Sequence, residues 1–243
     1  MNTKLRQAQA ALKTAQSVCV LTGAGISAES GIPTFRGRDG LWQGRDPMEL
    51  ATPEAFAEEP EKVWAFYNWR RQVIASVSPN PAHLALVRLE NRVDDFALIT
   101  QNVDGLHRQA GSRNLLEIHG NLWRLRCIGC NTAFSDRRLD LGPRPQCNEC
   151  GELLRPDVVW FGEMLDQIVL GQSLEACSRC QVMLVIGTSA LVQPAASFSL
   201  HAKEQGAKIF EINLEQTSYS RLMDFVLLGK AGDIVPRLVD EGG

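Results

Sequence analysis

The sequence predicts an α/β fold: a doubly wound parallel sheet, with a smaller domain built from a helical insertion and a cysteine-rich ribbon. Three observations lead there. Short, near-continuous apolar runs recur along the chain, as strands covered on both faces require. Helical periodicities lie between several of them. Two stretches, about 46–76 and about 122–155, break that alternation. With 243 residues, 44% of them hydrophobic, the chain can bury a sizeable core.

In chain order, Leu5, Ala8, Leu12 and Ala15 repeat at helical spacing ahead of the apolar run Val18–Leu21. The segment 46–76 is helical and acidic, and Thr52-Pro53-Glu54 supplies a cap and a first-turn proline. A helix over Pro81–Asn91 precedes strands at Phe96–Ile99 and Leu115–Ile118. After the cysteine-rich segment come a strand at Val158–Phe161 and a helix over Asp166–Cys180. A strand at Val182–Ile186 precedes a helix over Pro194–Gln205, which Gly206 stops. Lys208–Ile212 and Phe225–Leu228 complete the strands. The expected division assigns 1–37, 79–121 and 156–243 to the large domain and 38–78 and 122–155 to the small one. A crevice between them is the natural site.

A formal net charge of −3 gives no electrostatic footprint for nucleic acid. No run of about 18 apolar residues spans a membrane, and Met1–Gln7 lacks the apolar core of a secretory signal. The expected address is therefore cytoplasmic, where seven cysteines point to metal binding and core thiols before disulfides. Cys127-x2-Cys130 and Cys147-x2-Cys150, 16 residues apart, have the spacing of a four-thiolate zinc ribbon. Four soft anionic ligands fill a tetrahedral shell and leave no place for water or substrate, so this site is expected to be structural. Cys177 and Cys180 share the spacing but lie late in a helix, and are read as core thiols.

Gly23-Ala24-Gly25-Ile26-Ser27-Ala28 follows the first apolar run with the spacing G-x-G-x-x-A, a dinucleotide-binding signal. The sequel Glu29-Ser30-Gly31-Ile32-Pro33-Thr34-Phe35-Arg36 breaks the hydride-transfer pattern, in which a long helix and a ribose-reading acid follow. Other polar groups fall at expected strand ends: Gln101, Asn102, Val103 and Asp104; then His119-Gly120; then Gly187-Thr188-Ser189; then Asn213-Leu214-Glu215. Such positions point into the ligand crevice of an open sheet. Of four histidines, His119 follows a strand end immediately and is the leading general base. His83 and His201 lie in helices, where surface or packing roles are expected; His107 could fall either way. A dehydrogenase and a nucleic-acid-binding zinc ribbon, the latter favoured by Arg124, Arg126, Arg137, Arg138 and Arg144, are the competing readings.

At about 100° per residue, Val63, Phe66, Tyr67, Val73, Ile74 and Val77 form one apolar stripe with Arg70 near its centre. An inward guanidinium needs an anion, either an internal carboxylate or an acidic ligand. Arg71, at the stripe's edge, is read as a solvated charge.

With these blocks in order, the chain resembles the sirtuins, NAD-dependent protein-lysine deacylases, over essentially its whole length. The matching motifs are Gly23–Ser27 with Ile32–Arg36, Thr100–His107, His119-Gly120, the cysteine quartet, Phe161-Gly162-Glu163, Gly187-Thr188-Ser189 and Asn213. The resemblance implies a Rossmann-like fold, NAD consumed as co-substrate and one structural Zn2+. Partners would be acylated-lysine proteins, with no direct nucleic-acid and no membrane partner. In sirtuins the acyl oxygen attacks C1′ of the NAD ribose as nicotinamide leaves. By the same resemblance Gln101, Asn102 and Asp104 surround the nicotinamide and its ribose, with Asn102 and His119 as the catalytic residues. His119 would deprotonate a ribose hydroxyl on the way to free lysine and O-acyl-ADP-ribose. Phe35 would shield C1′ and Arg36 would lie near the phosphates. Trp42, Val103, Leu214, Glu215 and Ala231 would complete the cofactor contacts begun by Gly23, Ala24, Gly25, Ser27 and Ala28. Phe161, Gly162 and Glu163 would pair with the substrate backbone as an added strand. Tyr67-x2-Arg70 is similar to the pair that, in class III sirtuins, grips the distal carboxylate of succinyl-, malonyl- or glutaryl-lysine. Ala51 matches that class's small residue, which leaves room for the longer chain.

Overall fold

The structure, a computed structural model, describes residues 3–34, 46–189 and 193–240. In order it runs α1 (Thr3–Thr14), β1 (Ser17–Thr22), α2 (Ala24–Ala28), α3 (Pro53–Glu58), α4 (Pro60–Ala75) and α5 (Pro81–Arg92). There follow β2 (Asp95–Thr100), α6 (Leu106–Ala110), β3 (Leu115–Glu117), β4 (Gly120–Cys127), β5 (Ala133–Ser135) and β6 (Leu154–Val158). The chain closes with α7 (Gln167–Arg179), β7 (Val182–Ile186), α8 (Ala195–Glu204), β8 (Lys208–Asn213), β9 (Phe225–Leu228) and α9 (Ala231–Val239).

Six strands form one sheet in the order β3-β2-β1-β7-β8-β9, every pairing parallel. The α/β doubly wound reading therefore holds. β1, β7 and β8 are buried from Val18 to Thr22, Val182 to Ile186 and Ile209 to Ile212 because helices cover both faces. On one face Val20, Leu98, Leu184 and Phe210 pack against Leu86, Leu89 and Val235. On the other Leu21, Ile99, Val185 and Ile209 pack against Cys177 and Phe198. Cys177 and Cys180 are buried there, as read from the sequence.

A second, three-stranded antiparallel sheet has the order β5-β4-β6. The apolar run Val158–Phe161 is thus not a strand of the parallel sheet: Val158 ends β6 in the small sheet, and the chain then turns. Run length and hydrophobicity alone do not distinguish the two sheets, because Val158 and Trp160 bury into a separate core with Trp64, Tyr67, Leu122, Leu125 and Leu154. The Leu115 strand is also shorter than expected and lies at the sheet edge. Thr52 caps α3 through its hydroxyl, 3.1 Å from the Ala55 N–H, with Pro53 in the first turn as the sequence predicts. No helix among the described residues is long and apolar enough to cross a membrane.

Candidate active site

The order of the parallel sheet reverses between β1 and β7, and both strands end in glycine-bearing turns at this point. There the two turns meet backbone to backbone. The Gly25 N–H donates to the Gly187 carbonyl at 2.8 Å, and a side chain at Gly187, whose φ is +61°, would start 2.4 Å from the Ile26 nitrogen. α2 is only five residues long, consistent with the broken hydride-transfer pattern. Gln101–Asp104 follow β2 directly, Thr188 and Ser189 follow β7, and Asn213 ends β8 before exposed Leu214 and Glu215. Phe35, Arg36 and Trp42 lie outside the described residues.

A buried hydrogen-bond network ties these turns together. Asn102 donates from Nδ2 to the Gly23 carbonyl and to Ser27 Oγ, both at 3.1 Å, and Ser27 donates to Asp104 at 2.8 Å. Burial pushes the Asp104 carboxyl up, while the Leu106 N–H at 2.8 Å and the Ser27 hydroxyl hold it down. Gln101 donates to Thr188 Oγ1 at 3.0 Å, and Asn213 donates to the Thr188 carbonyl at 2.9 Å. At the far edge, Glu29 accepts the Gly232 N–H at 2.8 Å, which links the end of α2 to the first turn of α9 beside Ala231. Glu29 carried no signal in the sequence, because its partner lies 203 residues away.

His119 Nδ1 lies 3.0 Å from the Gln101 carbonyl. A carbonyl only accepts, so Nδ1 carries the hydrogen and Nε2 keeps its lone pair. Burial lowers the His119 pKa and the Gln101 hydrogen bond raises it, leaving it below the ordinary value of 6.5. The ring is therefore a neutral base at neutral pH. His83 and His107 instead form a buried pair with ring centroids 4.7 Å apart. His107 Nε2 lies 3.0 Å from Thr22 Oγ1, and His83 Nδ1 accepts the Asn80 N–H. Both are packed into the fold. His201 is partly exposed and bonds to Ser178 at 2.8 Å.

Arg70 is 7% exposed and its Nε has no hydrogen-bond partner. Its guanidinium carbon lies 5.7 and 5.8 Å from the Phe66 and Tyr67 ring centroids, and no carboxylate of the described residues forms an ion pair with it. Burial lowers its pKa, against the fields of Tyr67 and Asp104. Ala51 is buried in the same core cluster as Tyr67. Arg71, read as solvated, is fully buried. It donates to the Arg138 carbonyl at 2.9 Å and to the Asp136 carbonyl, and lies 3.5 Å from the Asp136 carboxylate. A second element, the turn after β5, covers that side of α4, which helical period alone does not reveal.

Phe161, Gly162 and Glu163 form a turn anchored by the Phe161 N–H, which donates to the Ala51 carbonyl at 2.9 Å. The Glu163 carboxylate is engaged within the fold, by Arg155 at 2.5 and 2.8 Å and by the Trp160 N–H at 2.8 Å. Trp160, which the sequence reading did not single out, donates its indole N–H to the Tyr67 hydroxyl at 2.8 Å.

In the ribbon, the sulfurs of Cys127, Cys130, Cys147 and Cys150 all lie within 4.8 Å of one another. Two of the separations are 3.3 and 3.8 Å. A tetrahedron of thiolates about 2.3 Å from zinc has edges of about 3.8 Å, so the donor set fits that ion.

Comparison with known proteins agrees with this geometry. The sequence model of the Sir2 family matches residues 23–194. An NAD-dependent protein deacylase from Pyrococcus abyssi is 49% identical over 236 residues, covering 95% of this chain and 94% of the relative. NAD-dependent protein deacylase 1 from Archaeoglobus fulgidus is 51% identical, with 90% of each chain covered. A solved Sir2 homolog–NAD complex superposes with a TM-score of 0.92 at 48% identity, over 96% of this chain and 92% of that one. A Sir2–p53 peptide–NAD+ structure gives 0.86 at 31% identity, over 98% and 97%.

Proposed function

The chain belongs to the Sir2 family and is an NAD-dependent protein deacylase; from that premise we propose that it removes succinyl and malonyl groups from protein lysines in preference to acetyl, which it also takes. The observation that carries the acyl preference is Arg70: a buried guanidinium with an unpartnered Nε and no ion-paired carboxylate among the described residues. Leaving such a charge uncompensated costs several kcal/mol, which an acyl carboxylate would recover. Tyr67 and Arg70, three residues apart on α4, share one helical face and can converge on that carboxylate. A second reading, deacetylase only, rests on the field of Asp104, which acts on Arg70 as an internal counter-charge.

NAD supplies the electrophilic ribose carbon that accepts the acyl oxygen. In this reading Gly23, Ala24, Gly25, Ser27, Ala28 and Trp42 contact the dinucleotide, Arg36 lies near its phosphates and Phe35 shields C1′. Gln101, Asn102, Val103 and Asp104 line the nicotinamide end. Gly187, Thr188, Ser189, Asn213, Leu214, Glu215 and Ala231 face the adenosine. Asn102 fixes the Gly23 turn through its amide hydrogen bonds to the Gly23 carbonyl and the Ser27 hydroxyl, and so sets polar groups at the nicotinamide end. His119 takes up the proton of a ribose hydroxyl at its free Nε2. Phe161, Gly162 and Glu163 offer backbone to the acyl-lysine peptide, and the four cysteines hold one structural zinc.

The test incubates succinyl-, malonyl-, glutaryl- and acetyl-lysine peptides with NAD and follows nicotinamide release. Wild-type protein should turn over the succinyl peptide faster than the acetyl one. Arg70→Met should lower kcat/KM for the succinyl peptide more than about ten-fold and the acetyl value far less, the scale of one lost charge-assisted hydrogen bond. Equal losses on both would return Arg70 to a structural role.

A further inference from the structure

We infer that Trp160 is a specificity-determining positioning residue, one that turns the Tyr67 hydroxyl into a donor aimed at the distal carboxylate of the acyl group. The inference rests on the carboxylate-binding reading of Tyr67 and Arg70 given above.

The argument starts from the donor inventory. An indole nitrogen carries one hydrogen and accepts nothing, whereas a phenol both donates and accepts. Trp160 Nε1 donates to the Tyr67 oxygen at 2.8 Å, and both side chains are buried. The phenol's acceptor side toward Trp160 is thereby occupied, so its own hydrogen must point elsewhere. The Arg70 guanidinium also acts on the Tyr67 oxygen as a side-chain donor, so that oxygen faces donors from both neighbours. Beside it, Arg70 can only donate, and its buried Nε has no acceptor. The phenol hydrogen and the Arg70 Nε–H are thus donors without a partner, which an anionic group would complete. Without the indole N–H, the phenol could rotate its hydrogen toward the ring and present a lone pair to the ligand, which a carboxylate would repel.

The indole is held in place from three sides. The Arg155 guanidinium carbon lies 3.5 Å from the Trp160 ring centroid, close enough for stacking. The Phe56 ring packs at 5.2 Å. Glu163 accepts the Trp160 backbone N–H while pairing with Arg155, and Arg155 also donates to the Val158 carbonyl at 2.9 Å. This frame accounts for the inward engagement of Glu163 and ties the turn beside the substrate strand to the acyl-binding end of the pocket.

The experiment compares Trp160→Phe, which keeps an aromatic ring, with replacement of Trp160 by benzothienylalanine, which keeps the indole shape and deletes the N–H. Should the phenylalanine variant fold poorly, the isostere still decides. Either change is expected to raise KM for the succinyl peptide about five-fold with kcat nearly unchanged, the size of one neutral hydrogen bond. KM for the acetyl peptide should change much less, and combination with Tyr67→Phe should add little beyond Tyr67→Phe alone. Equal effects on both peptides, or full additivity with Tyr67→Phe, would overturn the inference. If Arg70→Met and Tyr67→Phe shift the succinyl-to-acetyl ratio while the Trp160 changes do not, only the role of Trp160 fails. If none of them shifts that ratio, the carboxylate reading fails and takes this inference with it.

Discussion

Protonating His83 or His107 would place a cation where no polar partner remains: His83 Nε2 and His107 Nδ1 are both buried without a hydrogen bond. Burial accordingly lowers His83 to about 4, and burial with the charge of His83 holds His107 well below 6.5. The sign follows from linkage. In the unfolded chain these rings bind protons from about pH 6.5 downward, and in the folded chain they do not. Stability is therefore complete above pH 6.5 and falls as pH drops toward 4, by roughly 3 kcal/mol for His83 alone. Denaturant titrations from pH 7 to 4.5 should show this slope, and His83→Gln, which can still accept at the helix N-terminus, should flatten it. Parallel slopes in the two proteins would remove the pair from the account. At this scale His119 was legible in the sequence, since it follows a strand end. The His83–His107 contact and the burial of Arg71 were not, because helical period does not say which distant element will cover a face.

In the small sheet β4 and β6 are buried, but the ribbon beyond them has few apolar contacts to hold it. β5 is exposed along its three residues, and the chain from 128 to 153 buries little besides Cys147. Four thiolates around one ion would supply what the core does not. Cys147→Ser should release one zinc per chain and expose 122–158 to protease, while the six-stranded sheet keeps its far-ultraviolet signal. Metal content equal to wild type would refute the ribbon assignment. The cysteine spacing was readable because ligand geometry is local. Strand membership at Val158 was not, since an apolar run has the same look in either sheet and only pairing with β4 decides.

Across the whole molecule, the two halves of the parallel sheet meet where Gly25 and Gly187 touch, and the expected nucleotide contacts on both sides depend on that approach. Gly187→Ala forces a side chain into the Ile26 nitrogen at a positive φ. It should cost at least about 2 kcal/mol of unfolding free energy and raise KM for NAD. A variant with wild-type stability and affinity would show that the contact can relax. The glycine spacings and strand ends were legible from the sequence, since they follow from sheet topology. The frame of Arg155, Glu163 and Trp160 was not, because its contacts form in a turn that follows no helical or strand period. Adjacent residues of α4 face different neighbours: Arg70 lies among the Phe66 and Tyr67 rings, and Arg71 is tied to the turn after β5 in the ribbon. Because Arg71 anchors α4 to that turn, a change in the ribbon reaches the helix that carries Tyr67 and Arg70, so loss of the metal is expected to disturb more than the ribbon itself.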